Sequence, residues 1–201
     1  MEKIKNIVFD FGGVLLDWNP RYLYRSYFED EKDMEYFLTN ICTEAWNAEQ
    51  DRGRSFSEGV KLLLARHPEH EEAIQLFADR WEDMLKSEFP ESVVLLHELK
   101  NRGFGIYGLT NWSAETIPTA YRKYDFFDLF DGIVVSGDEK LIKPDKRIYK
   151  VLLERYNLNA DESIFIDDNQ ANIKSAQELG FKAILFDNIS NVREQLSTLL
   201  M

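Results

Sequence analysis

Five short apolar runs constrain this chain more than any other feature: Ile4 to Phe9, Gly105 to Leu109, Gly132 to Val135, Ser163 to Ile166 and Ala183 to Phe186. Each is brief, largely β-branched or aromatic and without polar alternation, the pattern of a strand covered on both faces. Amphipathic stretches at helical spacing lie between the later runs, as in Arg147 to Tyr156 and Ile173 to Leu179, and Gly180 follows the last of them as a C-cap. Strand alternating with helix predicts an α/β fold, a doubly wound, Rossmann-like, five-stranded parallel sheet with helices on both faces.

One connection breaks that rhythm. About 95 residues separate the first run from the second, where a strand-to-helix connection takes a handful of residues beyond its helix, so something is inserted. From Asn19 to Glu88 the apolar residues recur at helical spacing, as in Val60, Leu63, Leu64 and Ile74, Phe77, Ala78, Trp81, with no strand-like alternation. The expectation is a small all-helical unit over 16–88, set into a core made of 1–15 and 89–201. Pro20, Pro68 and Pro90 fall at its seams, where they suit helix starts. At 201 residues and 44% apolar, the chain can bury one full-sized core and such an appendage.

Charge narrows the partners. A formal charge of -12 repels nucleic-acid backbones and anionic lipid surfaces, so neither is expected as a partner. A site for a phosphate ester would have to be made locally positive by a metal, a lysine or helix N-termini. Cys42 is the only cysteine, which rules out an intrachain disulfide or a cysteine-held zinc and suits a reducing compartment. With no secretory apolar segment and no run of the ~18 residues that span a bilayer, a cytoplasmic location is expected. Monomer and homodimer both remain open.

In open parallel sheets, ligands bind beyond the carboxyl ends of the strands. Those ends carry Asp10-Phe11-Gly12-Gly13-Val14, Leu109-Thr110-Asn111 and Ile166-Asp167-Asp168-Asn169, and Ile142-Lys143-Pro144-Asp145 precedes the helix after the third strand. Carboxylates gathered at one edge repel one another unless a cation lies between them. A hard dication with oxygen ligands answers that need, and magnesium uses one or two carboxylates together with substrate phosphate.

These four segments resemble motifs one to four of the haloacid dehalogenase superfamily, most of whose members are phosphatases. The run from Asp10 to Val14, followed by a helical insertion, is similar to the branch containing the epoxide-hydrolase N-terminal phosphatase and sugar-1-phosphate phosphatases. The resemblance implies a cap over 16–88 and Mg2+ as cofactor. It implies that Asp10 attacks phosphorus of a small phosphorylated metabolite, and that Thr110 and Asn111 hold phosphate oxygens. Lys143 would neutralise the phosphate and steady Asp10. Asp167 and Asp168 would hold the metal, the second directly and the first through water. Gly12 and Gly13 would let backbone amides approach the phosphate, with the Gly12 carbonyl a further metal ligand.

One departure stands out: these phosphatases usually carry a second aspartate two residues after the nucleophile, and here that residue is Gly12. Loss of a general acid typically costs ~10² to 10⁴ in rate, so a leaving group that needs little protonation, such as an anomeric sugar 1-phosphate, is expected. Asp17, at the entrance to the insertion, is a partial substitute or a solvated hinge residue. Trp18 and Trp112 each follow a catalytic segment and either wall the pocket or pack in the core. Arg52, in the polar turn Asp51-Arg52-Gly53-Arg54, is a candidate substrate contact, and His67, His70 and His97 have no metal spacing. Two rival functions remain: metal-free dehalogenation of a 2-haloacid, against which the pair Asp167-Asp168 argues, and a catalytically weak phosphoryl-binding regulatory module, which Gly12 permits.

Overall fold

In the computed structural model, which describes residues 3–200, seven strands form two sheets. They are β1 (Asn6–Phe9), β2 (Leu16–Trp18), β3 (Leu85–Glu88), β4 (Gly105–Thr110), β5 (Gly132–Val135), β6 (Ser163–Asp167) and β7 (Lys182–Leu185). Five of these make the main sheet in the order β5-β4-β1-β6-β7, with every pairing parallel. The five apolar runs are these five strands, and the α/β sheet with a helical insertion is the architecture the sequence predicts.

Alternation along the strands explains why each run is apolar throughout. Successive side chains point to opposite faces. Ile7 and Phe9 of β1, with Ile106, Ile164 and Ile166, join one buried cluster, while Val8, Leu109, Val134 and Phe165 join the other. The second cluster is completed by Ile148, Tyr149 and Leu152 of the helix Lys146–Tyr156 and by Ile173 and Ala176 of the helix Gln170–Glu178. Each fully buried side chain of this size stabilises the fold by roughly 1.5–3 kcal/mol, which makes the two-sided cover the main source of cohesion.

The insertion carries the helices Arg21–Tyr24, Glu31–Asn40, Glu44–Asp51, Phe56–Leu64 and Glu71–Asp79, with a 3-10 turn at Pro68–His70 before the last of them and another at Trp81–Met84 after it. Three of them start on capping side chains: Asp30 accepts from the Lys32 N–H, Thr43 from Trp46 and Ser55 from Glu58. Each such cap contributes about 1 kcal/mol. Leu23, Phe37, Trp46 and Phe77 of this unit belong to the same apolar cluster as Phe9, Phe11 and Ile106 of the core, so cap and core share one interior.

The sequence pattern misses one feature. The two chain segments that enter and leave the cap are themselves strands: β2 and β3 pair antiparallel, Leu16 opposite Glu88 and Asp17 opposite Ser87. The unit over 16–88 is thus helical between two ribbon strands at its base. That ribbon is anchored to the core where the Phe89 N–H donates to the Leu15 carbonyl.

Candidate active site

Register places the catalytic candidates. Phe9 is level with Gly108 of β4 and with Ile166 of β6, and the Asp10 N–H donates to the Ile166 carbonyl at 2.9 Å. The residues one step beyond each pairing therefore share the carboxyl edge of the sheet, at the point where the chain has crossed from β5 on one side of β1 to β6 on the other.

Lys143 is the hub of that edge. Its Nζ is fully buried and lies 2.9 Å from Asp10 Oδ1 and 2.7 Å from Asp167 Oδ2, and it donates to the Leu109 carbonyl at 2.8 Å. A buried ammonium tolerates desolvation only with partners of this quality. Asp10 and Asp167 hold its pKa above the ordinary lysine value although burial alone would lower it. Asn111 clamps the lysine's backbone from both sides, accepting from the Lys143 N–H at 2.8 Å and donating Nδ2 to the Lys143 carbonyl at 3.0 Å.

Asp167 is wholly buried and its oxygens are taken. Oδ1 accepts from the Asn169 N–H at 2.8 Å and from Asn172 Nδ2 at 2.9 Å, and Oδ2 accepts from Lys143. Asp10 differs: Oδ1 receives the Phe11 N–H at 2.7 Å and the lysine, and among the described residues Oδ2 receives no hydrogen bond. One oxygen is fixed and the other is left for chemistry. Burial pushes the Asp10 carboxyl well above the usual carboxylate range, Lys143 opposes that, and the neighbouring Asp167 and Asp168 add to it.

Asp168 stands at the rim with its side chain over Gly13. One oxygen from each of Asp10, Asp167 and Asp168 lies within 4.8 Å of the others. Burial and the charge of Asp167 also raise the Asp168 carboxyl. Two carboxylates held above their ordinary values by lack of compensation, in an all-oxygen donor set, are what a hard dication relieves. The residues fit magnesium.

The remaining candidates divide. Thr110, at the carboxyl end of β4, is buried and its Oγ1 has no hydrogen-bond partner among the described residues. Gly12, Asn111, Trp18 and Trp112 all line one pocket of 220 Å³ between cap and core, so both tryptophans wall the cavity as well as packing. Arg52 turns to Glu49 at 3.5 Å and is not among the residues lining that pocket. Asp17 accepts the Tyr22 hydroxyl on both oxygens, at 2.9 and 2.8 Å, and likewise stays outside it.

Three residues in or beside the site are absent from the sequence-level candidates. Asn172 holds Asp167, and its only signal is its place in the first turn of the helix after β6. Trp81 stacks on Trp18 at 6.4 Å between ring centroids. Asp51 enters the pocket from the cap, and its carbonyl accepts the Ser136 hydroxyl at 2.5 Å. Burial pushes the Asp51 carboxyl up to about 7, with a Ser113 N–H opposing the shift.

Residues 4–180 match the haloacid dehalogenase-like hydrolase model. The chain belongs to that family. Haloacid dehalogenase-like relatives include the sesquiterpene phosphatase astK of Aspergillus oryzae, 29% identical over 196 residues and covering 94% of each chain. A crystal structure of a HAD family enzyme from Bacteroides thetaiotaomicron in complex with magnesium covers 92% of this chain and 94% of its own, with 22% identity and a TM-score of 0.71. A dehalogenase solved with an intermediate covers 100% and 99%, with 19% identity and a TM-score of 0.74. At those identities the two structures establish the shared fold. Among the described residues, no helix is long and apolar enough to cross a membrane.

Proposed function

We propose that this haloacid dehalogenase-like hydrolase cleaves small phosphate monoesters in two steps, through an aspartyl phosphate on Asp10. The observation that carries the reading is the Asp10 carboxylate, pinned through Oδ1 by Lys143 and the Phe11 N–H, with Oδ2 left without a hydrogen bond. In the first step a carboxylate oxygen bonds to phosphorus as the ester oxygen leaves with its electron pair. In the second, water attacks the same phosphorus, and Asp10 and inorganic phosphate are released.

The chain's own groups supply most of the electrostatics. Lys143 offsets the charge that collects on the phosphoryl oxygens and favours the ionised form of Asp10 against the burial that raises its pKa. The Thr110 hydroxyl and the Gly12 N–H supply donors to those oxygens, while the Gly13 N–H is spent on the Leu16 carbonyl at 3.0 Å. Asp10, Asp168 and the Gly12 carbonyl would hold Mg2+, with Asp167 in the outer sphere where it keeps Lys143 in place. When bound, the ion supplies positive charge to the phosphate and to the crowded carboxylates.

Within the family, the helical cap and the phosphatase relative at 29% identity support a place in the helical-cap phosphatase branch, which the sequence likens to the epoxide-hydrolase N-terminal phosphatase and sugar-1-phosphate phosphatases. Gly12 supplies no proton donor, so the leaving oxygen must carry charge with little help. A sugar 1-phosphate meets that condition, as do other esters of acidic hydroxyls. The carboxylate cluster speaks against metal-free dehalogenation. The test is a panel of phosphorylated metabolites with wild type and Asp10→Asn, each with and without EDTA. Turnover abolished by either change is expected, and turnover indifferent to both would overturn the reading.

A further inference from the structure

The pocket in front of Gly12 is walled by three indoles. Trp18 and Trp81 stack at 6.4 Å with 26° between their planes, and Trp112 meets Trp81 at 5.5 Å. A second cavity, of 540 Å³, continues into the cap and shares Trp18, Glu44 and Asn47 with the first. Leu38, Cys42, Ala45 and Phe77 add apolar surface there. An organic group leaving the phosphorus therefore has an aromatic antechamber and an apolar chamber behind it.

Most of the polar groups along this path are already spent, and among the described residues only Trp18 Nε1 and Asn47 Oδ1 of the two linings are buried without a partner. Thr39 Oγ1 donates to the Glu35 carbonyl at 2.6 Å, Thr43 Oγ1 accepts the Trp46 N–H at 3.0 Å and Asn19 Oδ1 accepts the Arg21 N–H at 3.0 Å. Asn47 Nδ2 donates to Asp51 at 3.2 Å. A sugar would bring several hydroxyls into a chamber with few partners for them, and a buried hydroxyl without a partner is costly.

Unpaired charge along the path has one sign. No lysine or arginine lines the inner pocket, where the ionisable side chains are Glu44 and Asp51. Arg21, in the outer cavity, is consumed by Glu35 through a two-pronged pair at 2.5 and 2.6 Å. A second phosphate or a carboxylate on the leaving group would meet only like charge.

We propose that the substrate is the phosphate monoester of an apolar, uncharged alcohol or phenol, its organic group seated against Trp18, Trp81 and Trp112. The inference rests on the phosphatase reading above and narrows it away from sugar phosphates. A leaving oxygen of phenolic acidity would also tolerate Gly12, because it departs as a stabilised anion.

The experiment compares kcat/KM, with magnesium, for 1-naphthyl phosphate, farnesyl monophosphate, glucose 1-phosphate and glucose 6-phosphate, using acetyl phosphate as a donor too small to need the pocket. At least one apolar ester is expected to exceed both sugar phosphates by roughly 10², the discrimination a pocket of this kind supports. Naphthyl over farnesyl would place recognition in the inner pocket, and the reverse would extend it into the outer cavity. Ala48→Trp, which fills the inner pocket from the half-buried face of its helix, should depress the apolar esters at least 20-fold more than acetyl phosphate, and Ala48→Leu should do so more mildly if the larger residue fails to fold. Sugar phosphates equal to or better than the apolar esters, or equal losses on all substrates, would overturn the inference while Asp10-dependent hydrolysis of acetyl phosphate left the phosphatase reading standing. If nothing is turned over, acetyl phosphate included, both fall together.

Discussion

Asp168 occupies the space that a side chain on Gly13 would need: a Cβ built there would lie 2.1 Å from Asp168 Oδ2. Gly13 also holds φ at +74°, a backbone state that L side chains avoid. The glycine is thus the floor on which the rim carboxylate rests. Gly13→Ala should lose about 1–2 kcal/mol of stability and push Asp168 off its position over the glycine, away from the oxygens of Asp10 and Asp167. Calorimetric titration should show magnesium affinity at least 10-fold weaker, the scale on which displacing groups around a metal site acts. Unchanged affinity would show that Asp168 does not take part in holding the ion.

Removing the cation at the hub is a harsher change. Lys143→Met leaves Asp10 and Asp167 buried side by side with no ammonium between them. Breaking a buried ion pair by deleting one partner typically costs ~3–5 kcal/mol, and losing one transition-state donor ~10² to 10³ in rate. Urea unfolding in EDTA should register the first and phosphatase assays the second. A variant as stable as wild type would mean that the neighbouring carboxylates take up protons at no cost to the fold.

The legible and illegible parts of this molecule separate by the range of the interactions that make them. The strand before Asp10 announces itself because a buried parallel strand must be apolar on both faces, and Ile7, Val8 and Phe9 are. The tips follow from the strands, so Asp10, Thr110, Lys143, Asp167 and Asp168 could be placed at one edge. The ribbon of β2 and β3 could not, because three and four residues with no alternation become strands only by meeting each other across the whole cap. Asp51 is similar. In sequence it is a polar residue ahead of a glycine turn, and its burial comes from Ser113 and Ser136, which the fold brings to it from the core. Arg52, its neighbour in that turn and the sequence's candidate for a substrate contact, has Glu49 as its partner instead.

Burial of Asp51 carries a pH signature. Its carboxyl titrates at about 7 in the folded chain against an unfolded value of about 3.9. The folded state therefore holds a proton that the unfolded state has released, and this contribution to stability is full below pH 4 and lost as pH rises towards 7. Asp51→Asn keeps an acceptor for the Ser113 N–H and removes the ionisation. Relative to wild type it should gain up to ~4 kcal/mol at pH 8 and almost nothing at pH 4, read as the difference between paired urea melts in EDTA. A gain that does not depend on pH would assign the effect to packing rather than to charge.

Gly12 is where the chain lacks a proton donor, and the structure leaves room for one. Its φ is not in the left-handed region, and a Cβ built on it meets nothing within 4 Å. Gly12→Asp should therefore fold with a stability change of under about 1 kcal/mol, since no neighbour must move. A carboxyl at this point faces the pocket through which the leaving group departs, and general acid catalysis is worth most where the departing oxygen is most basic. The expected result is a rise in kcat of at least ~10-fold for alkyl phosphates and little change for aryl phosphates, which flattens the plot of log kcat against leaving-group pKa. A uniform rise or fall across the series would mean that the new carboxylate acts through charge alone. In that case the native enzyme's tolerance of Gly12 would have to come from a proton source elsewhere in the pocket, and the pocket's other carboxyls, Asp51 and Glu44, would be the side chains to substitute next.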